Sequence, residues 1–247
     1  MKTDGSSLSL KRLDMVYKIE ILRRKHGEKP YKETFVYEPV REDESVATAL
    51  QRLNERDVLL NADGKETSVI EWECSCLQKK CGACAMVVNG VPKLACSAKL
   101  SDYKKGEIRL EPLRKFPVIA DLTVDRTILH ENLKTIQAWF DSAPHRDDKR
   151  GSLAFEASRC LQCGCCLDVC PNFYAGGEFY SMSVCVPTTK LLCELPKNER
   201  DKIAREYAKH VYNGCGKALS CKNVCPAGIE TDEMLVKSNA MAIWKRK

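Results

Sequence analysis

A chain of 247 residues has room for one large domain or two ordinary ones, each with its own buried core, and two is the better expectation. Fifteen cysteines beside an aromatic content of only 7% is the outlying feature, and no run approaches the roughly 18 apolar residues of a membrane span. The formal charge of +6 is what remains of 40 basic and 34 acidic residues scattered among one another, which describes a mixed solvated surface and gives no basis for a nucleic-acid partner.

Residues 1–15, MKTDGSSLSLKRLDM, form a polar tail without the apolar centre of an export signal, so the thiols are expected in a reducing compartment. Clustered cysteines there are metal ligands or catalytic groups more often than disulfides. Two β-rich runs, Val16 to Leu22 and Tyr31 to Tyr37, flank the turn-forming HGEKP at His26 to Pro30 and predict a hairpin. From Ser45 to Leu60 the spacing becomes helical, with Val46, Ala49, Leu50 and Leu53 on one face and Ser45 as the N-cap. Strands return at Ala85 to Val88 and Ile108 to Leu110, which makes a small mixed sheet with one helix packed on it. After Pro117 the pattern is helical again, with Leu129, Leu133, Ile136 and Phe140 at spacings of three or four. Asp141 to Ser152 reads as an exposed connection, and Glu199 to Tyr212 and Glu230 to Ile243 as helices beside cysteine groups. His26, His130, His145 and His210 show no spacing for ligation.

Between the first helix and the later strands lie Cys76, Cys81, Cys84 and Cys96, with four, two and eleven residues intervening. This is the plant-type spacing for a 2Fe-2S cluster: a short loop wraps the cluster so that three thiolates and several backbone N–H groups converge on it. Gly82 and Ala83 keep the loop small, and the fourth ligand arrives from a hairpin turned at Asn89-Gly90. Four thiolates also suit zinc, although zinc sites more often use two separated C-x2-C pairs and this group has one. Cys74 does not fit the spacing and is expected to be a buried small hydrophobe. Lys79 and Lys80 in the loop would favour a reduced cluster if they approached it, and Asp168 further on would do the opposite.

Cys160, Cys163, Cys166 and Cys170 in CLQCGCCLDVCP form the bacterial ferredoxin run C-x2-C-x2-C-x3-C-P. A second such run, CGKALSCKNVCP, carries Cys215, Cys221 and Cys225, and Ala218 stands where its second cysteine belongs. In two-cluster ferredoxins the fourth cysteine of each run binds the other cluster. That crossover assigns Cys160, Cys163, Cys166 and Cys225 to a 4Fe-4S cluster and leaves Cys170, Cys215 and Cys221 for a site one ligand short, which favours 3Fe-4S. Water or another side chain at the fourth corner would restore 4Fe-4S. Cys165, Cys185 and Cys193 are left without a cluster role, and a zinc-stabilised scaffold stands as the reading from a different functional class.

This order of motifs, with the phrases CGACAMVVNG (Cys81 to Gly90), VPKLAC (Val91 to Cys96) and FPVIADLTVDR (Phe116 to Arg126), resembles the iron-sulfur subunits of succinate:quinone and quinol:fumarate oxidoreductases over nearly the whole chain. The resemblance implies an α+β fold, with a β-grasp ferredoxin-like domain over residues 16–120 and an all-α ferredoxin-like domain over 121–247. It also implies an FAD-containing flavoprotein partner that interconverts succinate and fumarate, a membrane anchor subunit and a relay in the order 2Fe-2S, 4Fe-4S, 3Fe-4S. The chain itself would then hold no catalytic acid, base or nucleophile, and would sit on the cytoplasmic face of the membrane through its partners. Some members place a Trp and a His beside the 3Fe-4S cluster to bind ubiquinone. The matching places hold Ala175 and Gly216, which resembles the menaquinone-linked members whose anchor carries haem b. The competing identity within electron transfer is the corresponding subunit of another membrane-linked flavin dehydrogenase. Thiol-linked relatives carry additional Cys-Cys-Gly domains, and no such segment follows Cys225 here.

Overall fold

The computed structural model describes residues 15–25, 27–140, 143 and 151–244, and combines a mixed sheet with helices in an α+β architecture. Five strands form the main sheet: β1 (Tyr17–Arg23), β2 (Tyr31–Tyr37), β3 (Ala85–Val88), β4 (Val91–Leu94) and β5 (Glu107–Glu111). Their order is β2-β1-β5-β3-β4, with β1 and β5 parallel and the other neighbours antiparallel. Alternation decides the faces: in β1 Tyr17, Ile19 and Ile21 point into the core, while Lys18 is exposed. The strand starts one residue later than expected and extends to Arg23, whose side chain is completely buried. Glu33 and Asp121, each at 2.9 Å, pair with it and the carbonyls of Ser68 and Val69 accept from it, which offsets part of the cost of desolvating the guanidinium. His26 of the hairpin turn lies outside the described residues.

The first helix, α1 (Val46–Asn54), buries Val46, Ala49, Leu50 and Leu53 against the sheet, and Ser45 Oγ accepts the Thr48 N–H at 3.1 Å as its N-cap. It stops at Asn54 rather than at Leu60. The apolar face ends there in exposed Glu55, Arg56 and Asp57, and the Asn54 side chain bonds both the N–H and the carbonyl of Ile70. Replacing Ser45 by Ala is expected to lower the unfolding free energy by about 1 kcal/mol in denaturant titrations, because it orphans a first-turn amide.

Beside α1, the Tyr37 hydroxyl donates to Glu44 at 2.5 Å, and Glu44 also pairs with Arg52. Burial, and then the adjacent carboxylate, push the phenol up to about 12. A value raised on folding means that stability present below the unfolded value of about 10 is lost as the pH rises towards the folded one. Melting temperature is therefore expected to fall between pH 10 and about 12, with a shallower fall in Tyr37→Phe.

A small hairpin, β6 (Val118–Ala120) and β7 (Thr123–Val124), turns through Asp121 at φ 40° and has no counterpart in the sequence pattern. Helices follow: α2 (Thr127–Thr135), α3 (Gly151–Ser158), the single turn α4 (Cys165–Asp168), α5 (Met182–Glu194), α6 (Lys197–Tyr207) and α7 (Thr231–Asn239). The last two run on into π-type turns at Ala208–Tyr212 and Ala240–Trp244. The α2 pattern breaks before Phe140, where Gln137 takes φ 54°. Of the stretch expected to be a connection, Gly151 and Ser152 begin α3, Ala143 is exposed, and the rest lies outside the described residues.

Helix α5 is the element most at odds with the pattern, because Pro187 sits inside it. Val184, Cys185, Leu191 and Leu192 on α5 nevertheless form the centre of a second core with α6 and α7. The first core reaches across the chain, for Cys163, Cys165, Leu167 and Phe173 pack into it with the strands. Residues 114–116 make the connection. Arg114 pairs with Asp168, Lys115 Nζ donates to the carbonyls of Cys170 and Phe173, and Phe116 lies over Gly164 and against Phe173. Among the described residues no helix is long and apolar enough to cross a membrane.

Candidate functional site

The loop between α1 and β3 draws its shape from left-handed residues. Leu77, Lys79 and Gly82 have φ of 53°, 59° and 77°, and the loop's amides turn towards sulfur. Cys76 Sγ accepts from the N–H groups of Gln78 and Lys80, and Cys96 Sγ from that of Lys79, all at 3.3 Å; Cys81 Sγ accepts from Ala83 at 3.5 Å. Those amides hold the Cys76 thiol down at about 7. Cys84 is buried at the head of β3, where desolvation pushes it up to about 12. Asn89 and Gly90, at φ 47° and 81°, make the tight turn that delivers β4 and then Cys96. Lys79 and Lys80 are exposed, and it is their backbone N–H groups that donate to the sulfurs. Cys74 is exposed, contrary to expectation, because residues 74 and 75 run along the surface before the loop turns inward at Cys76.

The two ferredoxin runs interleave. Cys160, Cys163, Cys166 and Cys225 line one pocket together with Met182 and Ile229. Cys170, Cys215 and Cys221 line another, with Ala218, Phe179 and Leu219. The repeat extends to the backbone: Gln162 and Lys217 are both left-handed (φ 49° and 56°), and so are Gly164 and Leu219 (φ 87° and 55°). Ala218, between Lys217 and Leu219, occupies the place that Cys163 holds in the first run. Burial pushes Cys160 up to about 11 and Cys166 far above its ordinary value, and it raises Cys221 as well. Cys163 drops to about 7, chiefly because the neighbouring Cys165 thiol donates to it, with Arg126 adding to the effect.

Among the described residues no three His, Cys, Asp or Glu side chains close on a point as they would round a single ion. The thiols surround pockets instead. Sulfur donors gathered round pockets, some of them with amides already turned towards sulfur, fit iron-sulfur clusters.

Several supporting residues escaped sequence reasoning. Pro187 has no N–H to close on the Ser183 carbonyl, which instead accepts Gln162 Nε2 at 2.9 Å; the same amide reaches Cys160 Sγ at 3.3 Å. Asp168, expected to bring free negative charge, is buried and held by Arg114 through its backbone N–H at 2.5 Å and its guanidinium. Cys165, Cys185 and Cys193 are buried; Cys165 packs into the first core and Cys185 lies 3.5 Å from the Tyr207 hydroxyl. His210 is buried and stacked on Tyr180, with Nδ1 at 2.7 Å from the Glu178 carbonyl. His130 is exposed, and His26 and His145 lie outside the described residues.

The first loop and the first ferredoxin run touch at Gly82. A Cβ there would stand 2.8 Å from the Leu161 carbonyl and 2.9 Å from Cys163 Cβ. At the same junction Arg126 donates to the carbonyls of Gly82 (3.0 Å) and Ala83 (2.8 Å) and pairs with Glu73. Neither residue carried a sequence signal of this contact, since spacing along the chain does not report which loops meet.

Residues 18–131 match the family described as a 2Fe-2S iron-sulfur cluster binding domain. The succinate dehydrogenase iron-sulfur subunit of Bacillus subtilis (strain 168) is 35% identical over 211 residues, which cover 81% of this chain and 81% of that protein. The fumarate reductase iron-sulfur subunit of Mycobacterium tuberculosis is 28% identical over 173 residues, 65% of this chain and 69% of that one. Among solved structures, a chain of the Mycobacterium smegmatis Sdh1 complex in the apo form superposes with a TM-score of 0.71 over 94% of this chain and 98% of its own, at 20% identity, a likeness of fold.

Proposed function

Since the chain belongs to the family of succinate dehydrogenase and fumarate reductase iron-sulfur subunits, we propose that it relays electrons between the FAD of a flavoprotein subunit and a quinone, menaquinone, at a membrane anchor carrying haem b. Substrate conversion falls to the flavoprotein, and this chain contributes no catalytic acid or base. Its residues divide into a β-grasp ferredoxin-like domain over 16–120 and an all-α ferredoxin-like domain over 121–247. It docks peripherally on the cytoplasmic face of the membrane through its partner subunits.

Cys76, Cys81, Cys84 and Cys96 would hold a 2Fe-2S cluster; Cys160, Cys163, Cys166 and Cys225 a 4Fe-4S cluster; and Cys170, Cys215 and Cys221 a 3Fe-4S cluster. When bound, these groups supply one-electron redox chemistry over a potential range set by cluster type, charge, hydrogen bonds to sulfur and exposure. What supports this reading is the interleaving of the two runs, which puts thiols from both at each of two pockets. The chain's amides in the first loop and the Gln162 amide beside Cys160 then serve to donate to ligand sulfurs. Metal and sulfide analysis of the purified complex, with EPR during reductive titration, is the test. About nine irons and about ten acid-labile sulfides per chain are expected. Zinc in place of iron, or two 4Fe-4S signals with no oxidised 3Fe-4S signal, would contradict it.

A further inference from the structure

We propose that Arg126 is a positioning residue whose guanidinium, set where the first cysteine loop meets the first ferredoxin run, raises the reduction potentials of the 2Fe-2S and 4Fe-4S sites together. This rests on the site assignment above.

The geometry is that of a junction. The side chain of Arg126 is only 15% exposed and enters between the two loops from the end of the β6–β7 hairpin. Its two terminal nitrogens donate to the carbonyls of Gly82 and Ala83, the residues between the ligand positions Cys81 and Cys84. Gly82 in turn abuts Cys163 so closely that a methyl group has no room. One guanidinium thus fixes the backbone of one site at the point where that backbone presses on the segment carrying Cys163 of the other.

Each site gains a negative charge on reduction, so a fixed positive charge at close range in a poorly solvated spot favours the reduced state of both. Glu73 is the counterweight. It pairs with Arg126, is 42% exposed on its side chain, and dilutes that charge. The third site, whose cysteines line a separate pocket with Ala218, serves as an internal reference.

The test is redox-titrated EPR of the whole complex carrying Arg126→Met, Arg126→Lys or Glu73→Gln. Wild-type spectra with three cluster signals establish the site assignment first, and its failure would show there, before any variant is compared. The inference expects Arg126→Met to shift the 2Fe-2S and 4Fe-4S midpoints downward with the 3Fe-4S midpoint unmoved. Arg126→Lys should keep most of the wild-type values, and Glu73→Gln should shift the same two midpoints upward. A purely structural role predicts instead that both Met and Gln variants broaden or lose signals without opposite shifts. Unchanged midpoints in Arg126→Met, or shifts of the same sign in Arg126→Met and Glu73→Gln, would overturn the proposal. If Arg126→Met does not assemble, the sign of the Glu73→Gln shift still decides.

Discussion

Replacing Ala218 by Cys is expected to convert the third site from 3Fe-4S towards 4Fe-4S, adding one iron per chain and removing the oxidised 3Fe-4S EPR signal in the converted fraction. The ground for this lies in the backbone as well as the spacing. Ala218 is flanked by Lys217 and Leu219 in the left-handed region, as Cys163 is flanked by Gln162 and Gly164. Its methyl therefore stands in the second-ligand place of a loop already shaped like its partner, and lines the same pocket as Cys170, Cys215 and Cys221. A thiol added there needs no rearrangement of the loop. Midpoint titration should also find the converted site at a different potential, since cluster type is one of the main determinants. If iron content and the oxidised signal were both unchanged in a protein that incorporates its other clusters normally, the equivalence of Ala218 and Cys163 would be wrong.

The second large effect is expected at Gly82. A Gly82→Val chain should lose about 2–5 kcal/mol of stability, from about 1–2 kcal/mol for a β-carbon at φ 77° and about 1–3 kcal/mol for overpacking against Leu161 and Cys163. Gly64 supplies the control. It has φ 75° with nothing within 4 Å of the place a methyl would take, so Gly64→Ala isolates the cost of the backbone conformation. The excess of the Gly82 effect over that control measures how tightly the two loops are pressed together. Cluster content should report it too, with the 2Fe-2S and 4Fe-4S signals diminishing before the third. Equal losses at Gly82 and Gly64 would mean that the loops separate without penalty.

The parts of the fold that were legible are those with local causes. Short β-rich runs gave β1, β2, β3 and β5, Ser45 announced the start of α1, and Asn89-Gly90 announced the turn before β4, because each depends on residues within a few positions of one another. The cysteine spacings could be read because ligand spacing is itself a local constraint on a loop, and the cluster each group would hold is the proposal made above. What could not be read depends on distant partners. Helix α5 was hidden by Pro187, whose missing N–H is tolerable only because Gln162, 21 positions before Ser183, occupies the carbonyl left free. Arg23 lay just beyond the expected strand, and its burial depends on Asp121 from a hairpin far along the chain. Asp168 looked like a charge beside a cluster and turned out to be neutralised by Arg114. Cys74 looked apolar enough to bury, yet it and Ser75 are exposed.

The interleaving of the two ferredoxin runs bears on how the protein is made. One pocket needs Cys225 to complete a set begun at Cys160, and the other needs Cys215 and Cys221 to complete one begun at Cys170. Neither set exists while the chain is emerging from the ribosome with only its first run exposed, so the final stretch must be synthesised and must fold back before either receives its inorganic core. The first cysteine loop is under less constraint, since the four thiols proposed to hold the 2Fe-2S cluster lie between residues 76 and 96. Maturation would accordingly proceed in two stages, an early one open to the chain once the residues of the first core, up to Phe173, have been made, and a late one that waits for the whole polypeptide. Until the second stage is reached, the thiols of both runs remain uncovered and open to oxidation, which makes delivery of iron and sulfide to the completed chain the vulnerable step in its biogenesis.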